Sequence, residues 1–480
     1  MAKVSLPDST QNYIKQIEII GLFNRFDLLI EDLKPDFNTF YGTNGSGKTT
    51  VLHAIANALN GDYERFLSLD FNRIEIIFND DSYIKLLRPE GEDVTLIRSD
   101  QRRELPIRKY NIEEDNDSPD FERQRNDLVS FRQSNPFPKT SYFPAFRSII
   151  EAWNALGKLD EQDKLSRQLF GNFVPSLKYL SIHQIEKELR DNFSAFKKAV
   201  NNRNQEVLSQ SFGDILLSFS KVDAHVDSDF DAILQEIEAL SKEVSAHPLQ
   251  SDVNFLTGLM EKAQSISEFT HTNSDLSVNL PRQVLTTYRD ALQNIVNFQI
   301  DIFKPISNYI DSVNTWLQQK QITINPEVFN TNQPFLGLVD NNGIVFGDIQ
   351  LFSSGERQIF TLMYAVHSVT QSNANTIVLI DEPEISLHIN GQTRLVDNLF
   401  ERLQDKQIII STHSQRMAGM RRGALKEIKL TQTNKQKWLD SPAPVRDQDL
   451  EKTDDLGLVE KHTPYDDPKA GISLNEAEEE

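Results

Sequence analysis

The chain has 480 residues, 38% of them hydrophobic and 25% charged, the balance of a soluble globular protein with a length for roughly two to four domains. It contains no cysteine, which excludes disulfides, thiolate zinc sites, iron–sulfur clusters and cysteine nucleophiles together. Its net charge of −21 excludes coating of nucleic acid by charge alone, and no run approaches the ~20 apolar residues of a membrane span.

The opening residues, MAKVSLPDST, lack an apolar signal core, and the expected location is the cytoplasm. Residues 14–41 read as short strands in YIKQIEIIGLF, FDLLIEDL and FNTFYG. NRIEIIFND and SYIKLLRPE continue the alternation, so the first hundred residues are strand-rich. The polar, acidic stretch NIEEDNDSPDFERQRND (111–127) reads as a loop. From about 148 to 322 the period becomes helical. HQIEKELRDNFSAFKKAV, FDAILQEIEALSKEV, VNFLTGLMEKAQSI and RQVLTTYRDALQNIVNFQIDIF carry apolar residues at three- and four-residue intervals, with SAHP and NLP read as turns between helices.

Strand character returns in QITINPE and in LGLVDNNGIVFGDI, where DNNG fits a hairpin turn. TIVLIDEPE (376–384) and QIIISTHS (407–414) are short Ile/Val/Leu runs ending in polar residues, the pattern of buried parallel strands. The pattern is one α/β domain interrupted by a helical block of about 175 residues. Residues 440–480 hold thirteen acidic and four basic residues, a net −9 that predicts a solvated, largely disordered tail.

GTNGSGKT (42–49) fits G-x-x-x-x-G-K-[ST] between an apolar strand and the helical run TTVLHAIANALNG. Its glycines let backbone amides turn inward, and a helix N-terminus adds positive potential. The candidate phosphate-binding set is Asn44, Gly45, Ser46, Gly47, Lys48, Thr49 and Thr50. Within it Lys48 would reach the β- and γ-phosphates of ATP and Thr49 would ligate Mg²⁺. Asp381, closing IVLIDE, is the second candidate Mg²⁺ ligand, and Glu382 stands where it would polarise water. His413 in STHS would sense the γ-phosphate.

Ser353-Ser354-Gly355-Glu356 fits the capping box S-x-x-E, followed by an apolar helical face at 359, 362, 363 and 366. That reading makes the stretch a helix start. The same helix end leaves amides and a hydroxyl for an anion.

FSSGE also resembles the signature of ABC-type ATPases, in the branch containing SMC and RecF proteins. The order of phosphate loop, long insertion, signature, acidic strand and histidine loop is that branch's order. The resemblance implies an α/β, ABC-type P-loop ATPase head with a large inserted α-helical domain. Its lobes would be 1–147 and 323–435, the insertion 148–322 and the acidic tail 436–480. It also implies that Ser353, Ser354, Gly355 and Glu356 meet ATP bound by a second protomer, so that two ATPs are sandwiched in a dimer. YFPAFR (142–147) takes the place of the family's glutamine loop, with Arg147 as the stand-in sensor. ISLHING lacks the aspartate of transporter-type loops, and the 67 residues after His413 are too few for a Toprim domain.

Within this branch GLFNRFD, YFPAFR, LFSSGERQ and DEPEISLH are similar to the stand-alone ATPases of antiphage systems, foremost PtuA of Septu and retrons, with AriA of PARIS close behind. Such a resemblance implies an ATP-hydrolysing regulatory subunit that self-associates head to head and in higher homo-oligomers. Its effector would be a separate nuclease, an HNH-type PtuB-like subunit. Nucleic acid is a further candidate partner, and no membrane is implied. The alternatives are a RecF- or SMC-like DNA-repair ATPase and, behind it, a transporter ATPase subunit.

Overall fold

Two faces of one parallel sheet organise the molecule. The structure, a computed structural model, describes residues 11–89, 93–110, 118–145, 162–176, 180–218, 230–249, 279–326, 334–372, 374–385, 387–418 and 422–433. Residues 1–433 form one unit, and the acidic tail expected over 436–480 lies outside the described residues.

The first strands build a seven-stranded antiparallel sheet from β1 (Ile14–Leu22), β2 (Phe26–Ile30), β4 (Arg73–Phe78), β5 (Tyr83–Leu87), β6 (Val94–Arg98), β7 (Leu105–Ile107) and β15 (Thr431–Gln432). In β4, β5 and β6 every second residue is buried, as a sheet with one covered face requires. The parallel sheet has the order β14 (Leu425–Glu427), β3 (Phe37–Tyr41), β13 (Ile408–Thr412), β12 (Thr376–Asp381) and β8 (Lys139–Phe143). β12 and β13 are buried along their whole length, because both faces of this sheet are covered. Ile377, Leu379 and Ile409 face a core shared with α1 (Lys48–Asn60) and the antiparallel sheet. Val378, Ile380, Ile408 and Ile410 face a second core with α7 (Ser354–Gln371) and α8 (Ile389–Arg402).

The helical block enters that second core. α4 (Ile182–Ser218) contributes Ile185, Leu189 and Phe193 to it, and α6 (Asn279–Asn314) contributes Ile306, Tyr309 and Val313. Farther along these helices, Val207 of α4, Leu292 and Ile295 of α6, and Ile233 and Ile237 of α5 (Phe230–Ala246) make a third, separate core. Both long helices therefore run from the core of the α/β domain into a helical cluster of their own. α3 (Gln162–Phe170) precedes them. The helix expected at 253–266 lies outside the described residues.

Two sequence expectations are corrected. The stretch 111–127 is not wholly loop, since α2 (Pro119–Gln133) starts within it. Ser118 accepts from the Phe121 amide and Pro119 occupies the first turn, so capping chemistry starts a helix that buries only Leu128 and Phe131. NLP (279–281) opens α6 and is not a turn, which is where a proline costs a helix least. The DNNG hairpin joins β10 (Leu336–Asp340) to β11 (Val345–Asp348), and β9 (Lys320–Ile324) completes that small sheet.

Candidate functional site

β3 delivers the chain to Tyr41, and the loop at 42–47 turns directly into α1. The turn needs Gly45 and Gly47 at φ 79° and 87°, a region other residues enter only with strain. At Gly42 a Cβ would stand 2.7 Å from Ser46 Oγ and 2.9 Å from the Ile428 carbonyl, so only glycine fits. Asn44 and Gly45 are exposed at the loop's crest, and Thr50 is half-buried in the first turn of α1.

Lys48 is 5% exposed, and its Nζ donates to the carbonyls of Gly42 and Thr43, both at 3.0 Å. Burial holds its pKa below the ordinary lysine value, against the opposing pull of Glu382, Asp381 and Glu384.

β12 ends at Asp381, one strand away from β3, with β13 between them. The Thr49 hydroxyl donates to Asp381 Oδ2 at 3.0 Å, and the Ser411 hydroxyl donates to Oδ1 from the adjoining strand. Glu382 follows at φ 44°, its amide bonded to the Ser411 carbonyl at 2.9 Å. His413 Nε2 lies 2.8 Å from Glu382 Oε1. Glu384 accepts from the Thr412 hydroxyl at 2.5 Å and from the His413 amide at 2.9 Å, which fixes the histidine loop to the acidic one. The structure thus gathers the phosphate loop, Asp381, Glu382 and His413 at the carboxyl ends of β3, β12 and β13, where ligands of parallel sheets bind.

The fit of these residues to a nucleotide and Mg²⁺ rests on unfinished valences. Among the described residues Ser46 Oγ is buried without a partner, and Lys48 Nζ donates to its own loop's carbonyls, which a phosphate oxygen would replace. Thr49 and Asp381 offer adjoining oxygens of the kind Mg²⁺ takes when phosphates complete its shell. Among the described residues no group of three or more His, Asp or Glu side chains forms a self-sufficient metal site.

Ser353, Ser354, Gly355 and Glu356 form a separate group at the N-terminus of α7. The capping box is complete: Ser353 Oγ accepts from the Glu356 amide at 3.4 Å, and Glu356 Oε2 accepts from the Ser353 amide at 2.8 Å. Lys320 on β9 adds an ion pair to Glu356 at 3.0 Å. Burial alone would raise the Glu356 pKa, yet the bonds from Ser353 and Lys320 outweigh it and hold the carboxyl below its usual value. Ser353 and Ser354 remain exposed, and the predicted apolar face at Ile359, Leu362, Met363 and Val366 is buried.

Sequence reasoning missed four residues. Ser411 and Glu384 sit inside quoted runs, STHS and DEPE, but their roles need the pairing of β12 with β13. Gln358 closes the quoted run LFSSGERQ, but its amide finds the Pro383 carbonyl at 2.8 Å only in the fold, and Lys320 carried no signal in its neighbourhood. Arg147 lies outside the described residues.

Fold and site together define an α/β P-loop ATPase head interrupted by a helical block. Residues 37–416 match the family described as "AAA domain, putative AbiEii toxin, Type IV TA system", and the chain belongs to that family. No curated protein matches the chain. Among solved structures it is similar to the Smc head domain with an extended coiled coil bound to the C-terminal domain of ScpA, from Pyrococcus furiosus. That match has 14% identity over 89% of this chain and 98% of the other, at a TM-score of 0.39. The Smc head with coiled coil and joint from Pyrococcus yayanosii matches at 14% identity over 89% and 98%, with a TM-score of 0.33. Among the described residues no helix is long and apolar enough to cross a membrane.

Proposed function

We propose that the chain binds and hydrolyses ATP as the regulatory subunit of an antiphage defence complex, forming ATP-sandwich dimers that control a separate nuclease. One observation carries the ATPase part: Asp381 is held between Thr49 and Ser411, at the same strand ends as the Lys48 loop and the His413-braced Glu382. Phosphoryl transfer needs mostly positioning and charge stabilisation. Lys48 and the loop amides would hold the phosphates, and Thr49 and Asp381 would hold Mg²⁺. A metal ion held by them would supply positive charge to the phosphates. Glu382 would accept a hydrogen bond from water and orient it, while His413 holds its carboxylate and the Ser411 carbonyl holds its backbone amide.

The sandwich part rests on the exposed capped end at Ser353, a helix N-terminus fit for an anion but already saturated at Glu356 by its own cap and Lys320. Control of a nuclease rests on the resemblance to the PtuA-type ATPases. The family description favours a second reading, in which the chain is the toxin of a Type IV TA pair and its ATPase answers to an antitoxin.

The test combines binding and turnover. Lys48→Ala should abolish MgATP binding, whereas Glu382→Gln should retain ATP and stop hydrolysis. Turnover by Glu382→Gln at the wild-type rate would remove Glu382 from its role. Co-expression with the neighbouring gene separates the two readings: ATP-dependent cleavage supports the nuclease, and relief of growth arrest without cleavage supports the toxin.

A further inference from the structure

We propose that Gln358 is a positioning residue for Glu382, tying the capped end of α7 to the acidic loop as one mechanical unit. The proposal rests on the ATPase reading above. Gln358 is 8% exposed, five residues beyond the Ser353 cap, and its Nε2 donates to the Pro383 carbonyl at 2.8 Å. Pro383 has no amide hydrogen, so this carbonyl is its only backbone hydrogen-bonding group.

The loop needs such a tether. Glu382 stands at φ 44° directly before a proline, a left-handed conformation that a non-glycine residue keeps only when its surroundings over-determine it. On the sheet side the Glu382 amide bonds the Ser411 carbonyl, and Glu384 is bonded by Thr412 and His413. On the opposite side Gln358 supplies a bond from a helix. That helix is itself fixed, because Ile359, Phe360, Leu362 and Met363 are buried in the second core. Without the Gln358 donor, the bonds that hold Glu382 at positive φ come from the sheet side, and relaxation toward negative φ would move its carboxylate from His413. A displacement of Ser353 and Gly355 would reach Glu382 by the same bond, less than two helical turns away.

Gln358→Met keeps length and volume and removes the donor. Three quantities are measured: MgATP affinity, steady-state hydrolysis, and amide hydrogen exchange over 382–388 without nucleotide. Expected are a fall in kcat of about 10- to 100-fold with KM within about twofold, and faster exchange over 382–388 with α1 unchanged. A purely structural role for Gln358 would shift KM, affinity and exchange in α1 as well, and that pattern overturns the proposal. Unchanged kcat with unchanged exchange overturns it too. If Gln358→Met does not fold, Gln358→Glu, which also lacks the donor, is read by the same criteria. If the wild type hydrolyses no ATP, the ATPase reading falls and exchange alone decides: faster loop exchange keeps the tether, and unchanged exchange removes it.

Discussion

The Thr49 hydroxyl donates to Asp381 Oδ2 across 3.0 Å, although the two residues stand 332 positions apart. The contact exists because β13 lies between β3 and β12 and aligns their ends. Ser411 pairs in register with Phe40 on one side and with Asp381 on the other. Whatever binds at Lys48 therefore meets a carboxylate whose two oxygens are already oriented by hydroxyls.

Thr49→Val tests that orientation. Loss of the hydroxyl leaves the loop's glycines and Lys48 intact, so ATP without metal should bind as in the wild type. The Mg²⁺-dependent gain in affinity should fall about 10- to 100-fold. Titration calorimetry of ATP with Mg²⁺ and with EDTA measures both, and an unchanged Mg²⁺ gain contradicts the pairing of Thr49 with Asp381 as a metal site.

His53 gives a pH signature. It sits in α1 with Nε2 2.9 Å from the Tyr142 hydroxyl, and burial, helped by nearby Arg65, pushes its pKa down to about 3. The folded pKa lies below the ordinary 6.5, so the unfolded chain takes up the proton first as pH falls. The stability His53 provides is complete above pH 6.5 and is lost between 6.5 and about 3, at ~1.4 kcal/mol per pH unit within that window. His53→Gln, which does not titrate, should lose less stability than the wild type between pH 6.5 and 5 in urea unfolding. Parallel losses in the two proteins contradict the buried neutral histidine.

The capped end of α7 is also a stability element. Ser353→Ala removes the acceptor for the Glu356 amide and should cost about 1 kcal/mol. Ser353→Asp, which restores an acceptor, should recover most of it. Thermal unfolding of the three proteins decides, and equal midpoints for Ser353 and Ser353→Ala would leave the box without energetic weight.

Much of this site is legible in the sequence because its parts are local. The phosphate loop, the capping box and the buried runs of β12 and β13 each declare themselves within about ten residues. What was not legible depends on partners far along the chain. Ser411 and Glu384 acquire meaning only when β13 lies beside β12. Lys320 meets Glu356 across the helix–sheet junction, and Gln358 reaches a carbonyl 25 residues on. α2 was hidden for the opposite reason. It buries two apolar residues, Leu128 and Phe131, so Ser118 and Pro119 rather than an apolar period mark where it begins.

The chain is expected to cut no nucleic acid by itself. Two-metal cleavage needs carboxylates on a rigid scaffold that hold two metal ions about 4 Å apart, and the sequence offers no compact carboxylate cluster on a strand end beyond the ATPase motifs. Purified protein with Mg²⁺ or Mn²⁺ should leave plasmid DNA and tRNA intact. Cutting that survives Lys48→Ala but disappears on truncation at about residue 440 would place a nuclease in the tail instead.

The central claim, a nucleotide site completed by a second protomer, is tested most directly by mixing two inactive variants. Ser353→Arg keeps the phosphate loop and blocks the capped helix end, while Lys48→Ala does the reverse. Alone, each should hydrolyse no ATP. Mixed in equal amounts and allowed to exchange protomers, they should regain roughly a quarter of wild-type turnover, since about half the dimers are mixed and each carries one intact site. Wild-type turnover by Ser353→Arg alone, or no recovery in a mixture shown to exchange protomers, would contradict a site shared between two chains.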